Sequence, residues 1–256
     1  MSDDSNGLKI VVVGGGSGSS VVLEGLKKYT SNLTAVVTMF DSGGSSGILQ
    51  KEFGYPPLGD LRRCLLGLSE DAESTIALRE AIGFRFSDES SLNGHSVGNL
   101  LLAALTTIGD DLEHAVDEMG RLLRITGRVV PVSLQRSELC AELDDGRIVR
   151  GESNIDLRVE HSPRIGRVFL DPPVDGNINA VKAILEADAV VLGPGDLYTS
   201  IIPNLLAQGI SQALRDTEAT RVYVCNLMTK PGETDRFKAS DFVQEINQYL
   251  DGPYLD

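Results

Sequence analysis

The chain has 256 residues, 41% of them hydrophobic, enough for one large or two small domains around a substantial core. A net charge of −14 leaves no electrostatic grip on nucleic acid or anionic lipid, so no nucleic-acid partner is expected, and a bound phosphate must be held by local donors or a metal. Cys64, Cys140 and Cys225 lie far apart with no CxxC or Cys/His spacing, the start at residues 1–7 is short, acidic and polar, and no apolar run approaches the ~20 residues that span a bilayer; a cytoplasmic protein with buried thiols and no membrane insertion is expected.

Residues 8–13, apolar but for Lys9, form a run ending in Gly14-Gly15-Gly16-Ser17-Gly18, and Val21, Val22, Leu23 and Leu26 then lay down a helical apolar face over 19–29. A second buried strand, 33–39, leads at once into Asp41-Ser42-Gly43-Gly44-Ser45-Ser46-Gly47. Together these make a βαβ unit with parallel strands and a right-handed crossover. From 56 to about 125 the apolar spacing turns helical, at 61–68, 76–82, 97–108 and 112–125, with Ser96 placed to cap the third helix and Asp110 or Asp111 the fourth. Short alternating runs follow at 129–134, 139–143, 148–150 and 168–170, with Asp144-Asp145-Gly146 marking a hairpin turn. The α/β rhythm returns with a helix over 179–186, a strand over 189–192, a helix after Pro203, a strand over 221–227 and a last helix over 239–250. With no internal repeat or low-complexity linker, the expectation is a single α/β domain spanning 1–256. It has a Rossmann-like, largely parallel sheet, a helical insert at about 56–125 and a small β-rich insert at about 129–170.

Four loops rich in Gly, Ser, Asp or Asn, at 14–20, 41–47, 193–200 and 226–234, each follow the carboxyl end of a predicted strand. In an open parallel sheet all such ends share the edge where ligands bind. Gly14, Gly15, Gly16, Ser17 and Gly18 bring backbone N–H groups to a helix N-terminus, whose dipole favours a phosphate. Ser19 stands where GxGxxG wants Gly or Ala, and no Gly-Lys-Ser/Thr follows, so neither NAD nor a Walker A phosphate loop is expected. Ser42, Gly43, Gly44 and Ser45 continue the small polar lining. Asp41 and Asp60 read as a carboxylate pair for Mg²⁺ with waters and substrate phosphates, and Asp60 reads equally as a helix cap.

Arg62 and Arg63 are the candidate phosphate partners, with a surface charge as the alternative reading for one of them. His95 reads either as a substrate contact or acid–base group or as a structural residue near a cap, and Asn99, on the first turn of the following helix, is the stronger contact. Gly193, Gly195, Asp196, Tyr198 and Thr199 offer donors, hydroxyls and a ring to stack on a base or sugar; the alternative is a rigid turn with Tyr198 in the core. Asn226 and Lys230 close the set, with Lys230 placed to reach a phosphate. The Glu152 carboxylate has no identifiable partner, and no catalytic residue is assigned.

Taken together, Gly14–Gly18, Asp41–Gly47, Pro57-Leu58-Gly59-Asp60-Leu61-Arg62, His95-Ser96-Val97-Gly98-Asn99-Leu100, Gly193–Ser200 and Asn226-Leu227-Met228-Thr229 resemble the YvcK-type gluconeogenesis factors, part of the superfamily of the 2-phospho-L-lactate transferase CofD. The resemblance runs in family order across nearly the whole chain. It implies a regulatory protein that binds UDP-N-acetylglucosamine or a similar nucleotide-sugar and is linked to carbon metabolism and cell shape. The alternative it implies is a CofD-like transferase that uses Mg²⁺ on Asp41 and Asp60 to move a phospholactyl group from a guanosine diphosphate-linked donor to a deazaflavin. In the family pattern a second Asp usually stands where this chain has Ser42, and a further strand–helix segment commonly follows. A homodimer is left open.

Overall fold

A computed structural model of the chain describes residues 7–87, 91–109 and 111–256. The acidic start at residues 1–6 and Asp110, one of the two expected caps, lie outside the described residues. β1 (Ile10–Gly14) is apolar throughout because it runs through the centre of a five-stranded sheet with both its faces buried. Its neighbours are β2 (Leu33–Val37) and β7 (Ala189–Leu192), and the register sets Val12 beside Ala35 and Val191. β3 (Arg128–Pro131) and β8 (Thr220–Tyr223) complete the order β3-β2-β1-β7-β8, with every pairing parallel. The carboxyl ends of all five strands therefore open on one edge, including those of the four strands that the sequence assigns to it.

The helices α1 (Gly16–Leu26) and α2 (Gly44–Phe53) leave the ends of β1 and β2. Four more follow: α3 (Gly59–Leu68), α4 (Glu73–Gly83), α5 (Val97–Gly109) and α6 (Leu112–Leu123). α3 carries Leu61, Cys64, Leu65 and Leu68 fully buried and packs against α1, so it is part of the layer over the sheet. Each buried leucine there contributes about 1.5–3 kcal/mol. Asp111 caps α6, accepting the Glu113 N–H at 3.0 Å.

Two sequence expectations need correction. The run at 129–134 reads as part of the β-rich segment, yet Val129 and Val130 pair with Ala35 and Val36 in the main sheet. Local alternation carries no information about so distant a partner. The second glycine-rich loop does not stay a loop through Gly47: α2 begins at Gly44 and ends at Gly54, whose φ of +72° supplies the left-handed C-terminal cap.

The small sheet is the antiparallel set β5-β4-β6, formed by β4 (Glu138–Leu143), β5 (Ile148–Arg150) and β6 (Ile165–Asp171). β4 and β5 turn at Asp144-Asp145-Gly146 as expected, with Gly146 at φ +83°. A short helix, α7 (Glu152–Asp156), leaves β5 and delivers its side chains to the main-sheet edge. The chain closes with α8 (Ile178–Leu185), α9 (Ile202–Leu206), α10 (Ile210–Asp216) and α11 (Ala239–Tyr249). A π-helical turn, Leu197–Ile201, precedes α9. No helix of the described residues is long and apolar enough to cross a membrane.

Candidate functional site

The loops after β1, β2, β7 and β8 surround one cleft of about 570 Å³. From the first come Gly15, Gly16, Ser17 and Gly18; from the second, Asp41, Gly43, Gly44, Ser45 and Ser46; from the third, Pro194, Gly195, Asp196, Thr199 and Ser200; from the fourth, Asn226. The N-terminus of α3 adds Gly59, Asp60 and Arg63, the first turn of α5 adds Asn99, and α7 adds Glu152, Ser153 and Asp156. Four helices of ten residues or more, α1, α2, α3 and α5, thus bring their first turns to this cleft, and α1, α2 and α3 turn their N-terminal N–H groups toward it.

Asp60 occupies the centre of that arrangement. It is 7% exposed, accepts Arg63 Nη1 at 2.6 Å and takes the Gly16 N–H. Burial raises its carboxyl above the usual range, Arg63 opposes that rise, and the neighbouring Asp41 adds to it. Asp41 Oδ1 accepts the Gly43 N–H at 2.7 Å, which fixes the turn into α2. Two carboxylates on one cleft fit Mg²⁺ when waters and phosphate oxygens complete the shell. Among the described residues no group of three or more His, Cys, Asp or Glu side chains is gathered to hold a metal unaided.

Several expected contacts sit elsewhere. Gly14 and Gly193 lie at the strand ends behind the lining, where the Gly193 N–H donates to the Val13 carbonyl at 2.9 Å. Ser42 ties the second loop to α7: its Oγ accepts the Ser153 N–H at 3.0 Å. Arg62 turns away and is 6% exposed, with Nε donating to Asn99 Oδ1 at 3.0 Å; burial lowers its pKa to about 10. Adjacent helical residues point about 100° apart, so Arg63, one position on, faces the cleft instead.

Tyr198 is 2% exposed in the core, within reach of Glu245, and is not placed to stack on a ligand. Its neighbour Thr199 does line the cleft, with a buried Oγ1 that has no hydrogen-bond partner among the described residues. His95 stands behind Ser45.

Lys230 is not free to meet a phosphate. Its Nζ bonds Asp156, Asp196 Oδ2 at 2.8 Å and Glu233 Oε1 at 2.9 Å. Asp156 and Asp196 both line the cleft, one in α7 and the other in the loop after β7, so the ammonium ties those two segments together. The residues that sequence reasoning missed, Arg85, Ser46, Ser153 and Asp156, come from the segment after α4, the first turn of α2 and the helix α7 beyond a distant hairpin. Only Glu152 carried a signal, as a carboxylate directly after a strand. Burial and then Asp41 push the Glu152 carboxyl up to about 7.

Glu233 behaves similarly: burial pushes it from 4.5 up to about 7, with Lys230 opposing. Because the folded state holds this proton more tightly than the unfolded chain, the associated stability is full below about pH 4.5 and is lost as pH rises to about 7. The loss amounts to about 3 kcal/mol. Urea unfolding of the wild type across that window is expected to show falling stability, with a smaller slope in Glu233→Gln; identical slopes would contradict the assignment.

A parallel sheet whose carboxyl edge carries glycine-rich loops, helix N-termini, two cleft arginines and an acidic pair defines a Rossmann-like class of α/β protein with a polar cleft at that edge. Over residues 10–256 the sequence matches the family described as 2-phospho-L-lactate transferase CofD, and the chain belongs to that family, on the branch of the YvcK-type gluconeogenesis factors. It is similar to the putative gluconeogenesis factor of Clostridium acetobutylicum, 46% identical over 252 residues that cover 98% of this chain and 55% of that protein. The corresponding protein of Nostoc sp. is 46% identical over 94% of this chain and 52% of its own length, so the chain spans about half the length of these two relatives. The gluconeogenesis factor of Bacillus subtilis is 45% identical, with 97% of this chain and 77% of that protein covered. A crystal structure of a Bacillus halodurans protein superposes with a TM-score of 0.92 at 43% identity, covering 98% of this chain and 79% of that one.

Proposed function

We propose that this chain is a cytoplasmic regulatory protein that binds a nucleotide-sugar of the UDP-N-acetylglucosamine type in the cleft, linked to carbon metabolism and cell shape. The observation that carries the reading is the convergence of the N-termini of α1, α2 and α3 on one cleft lined by Arg63 and Arg85. Such an array stabilises a diphosphate without a lysine, and a volume of about 570 Å³ suits a nucleotide-sized ligand. Gly15, Gly16, Ser17, Gly18, Gly43, Gly44 and Ser45 supply the phosphate cradle, while Asn99, Gly195, Asp196, Thr199 and Asn226 remain for the sugar and base. The orphaned Thr199 hydroxyl supports that division, because a buried hydroxyl costs stability until a ligand satisfies it.

A second reading, the CofD-like transferase, is favoured by one observation: Asp41 and Asp60 both face the cleft. In that reading Asp41 and Asp60 would hold Mg²⁺, whose charge would neutralise the donor diphosphate. Calorimetric titration with UDP-N-acetylglucosamine, UDP, GDP and NAD, each with and without Mg²⁺, separates the two. Saturable UDP-sugar binding without metal is the expected result, weakened about 10-fold by Arg63→Met. Tight GDP binding that requires Mg²⁺ would favour the transferase, and no binding of any of the four would overturn both.

A further inference from the structure

Ser45 is the second residue of α2, lines the cleft, and has its Oγ 3.0 Å from His95 Nδ1. The two residues are 3% and 7% exposed, and His95 itself is absent from the lining. The backbone around His95 is pinned from both sides. Its N–H donates to the Leu92 carbonyl and its own carbonyl accepts the Phe86 N–H, both at 2.9 Å. On either side, the Gly94 N–H donates to Phe86 O at 3.1 Å and the Val97 N–H to Phe84 O at 3.0 Å. The imidazole is therefore presented to Ser45 by rigid backbone pairing.

A serine hydroxyl has one proton to donate. If Ser45 spends it on Nδ1, only oxygen lone pairs face the cleft, and these repel an anion. If Nδ1 carries the proton and donates to Oγ, the Ser45 O–H is left to point into the cleft at an anionic oxygen. The second arrangement agrees with the α2 dipole and with the cleft-lining Arg63 and Arg85, which favour negative charge and oppose the cleft carboxylates Asp41, Asp60 and Glu152. It needs the ring only as the neutral Nδ1–H tautomer.

Resting on the proposed phosphate cradle, we infer that His95 is a positioning residue: its Nδ1–H donates to Ser45 Oγ and so directs the Ser45 hydroxyl as a donor to an anionic ligand oxygen. Histidine acts through serine and does not touch the ligand. The nearest isosteres differ in a useful way, since the Asn side-chain nitrogen occupies the place of Nδ1 and the Gln nitrogen that of Nε2.

The test has two arms. In the first, UDP-N-acetylglucosamine is titrated into the wild type, Ser45→Ala, His95→Leu, His95→Asn, His95→Gln and the Ser45→Ala/His95→Leu double variant, each checked for a cooperative thermal transition. Ser45→Ala and His95→Leu are each expected to weaken binding about 10-fold, and the double variant no further, because the two residues make one interaction. His95→Asn is expected to restore most of the affinity and His95→Gln not. Additive losses, or Asn and Gln behaving alike, would overturn the inference while leaving nucleotide-sugar binding intact.

The second arm needs no ligand: ¹⁵N-edited spectra of the imidazole report which nitrogen carries the proton. A protonated Nδ1 in the wild type is expected, with its signal altered by Ser45→Ala. A bare Nδ1 would overturn the inference even if the wild type failed to bind the nucleotide-sugar, a failure that by itself would count only against the proposed function.

Discussion

Gly18→Val is expected to abolish ligand binding in the cleft and to lower stability by about 3 kcal/mol. A Cβ at Gly18 would stand 2.3 Å from the Pro194 carbonyl oxygen and 2.9 Å from its carbon, so the first turn of α1 and the loop after β7 could not keep their present approach. Both segments line the cleft, and separating them moves the donors of one wall away from the other. The obstructing atoms are backbone, which cannot rotate aside. Gly25, in the same helix, provides the control: an added Cβ there meets nothing within 4 Å, and Gly25→Ala should leave binding unchanged and raise stability by about 0.5–1 kcal/mol. Gly16 is the less informative position, because its φ of +68° makes any β-branched residue strain the backbone as well as occupy space. Thermal denaturation together with calorimetry checks the comparison, and undiminished affinity in Gly18→Val would remove that wall from the site.

Lys230→Met is expected to cost about 3–5 kcal/mol of stability, since it leaves Glu233 buried with no counter-charge and Asp156 facing Asp196. Glu233 is the decisive partner because its side chain is fully buried. The loss should shrink in acid, where Glu233 is protonated, and be largest above pH 7, because burial pushes its pKa up to about 7. Denaturant unfolding at pH 5 and pH 8 tests this. A loss that is equal at both would show that Lys230 contributes by packing alone.

How far the sequence reveals this protein depends on whether the signal is local. The apolar runs of β1, β2 and β7 are legible because central parallel strands are buried on both faces, and the loops that follow them are legible because glycine and serine cluster there. α2 is hidden by its own beginning, Gly44-Ser45-Ser46-Gly47, which has the composition of a loop; only Ile48, Leu49 and the terminating Gly54 mark a helix. Arg62 and Arg63 are indistinguishable in a string of letters, and only the rotation of α3 assigns one to Asn99 and the other to Asp60. Tyr198 follows the same logic, since the π-helical turn sends it to the core and leaves Thr199 on the cleft. The contribution of α7 is the least legible. Glu152 and Asp156 reach the cleft from a hairpin that is more than a hundred residues from the Asp41 loop they join.

Amide hydrogen exchange with and without UDP-N-acetylglucosamine locates a ligand in the cleft as well as detecting it. New protection is expected at the first turns of α1 and α2, residues 16–18 and 44–46, and in the loop at 194–200, with little change in β4 and β5 or along α11. Protection confined to surfaces away from the sheet's carboxyl edge, with those three segments unchanged, would contradict binding in the cleft.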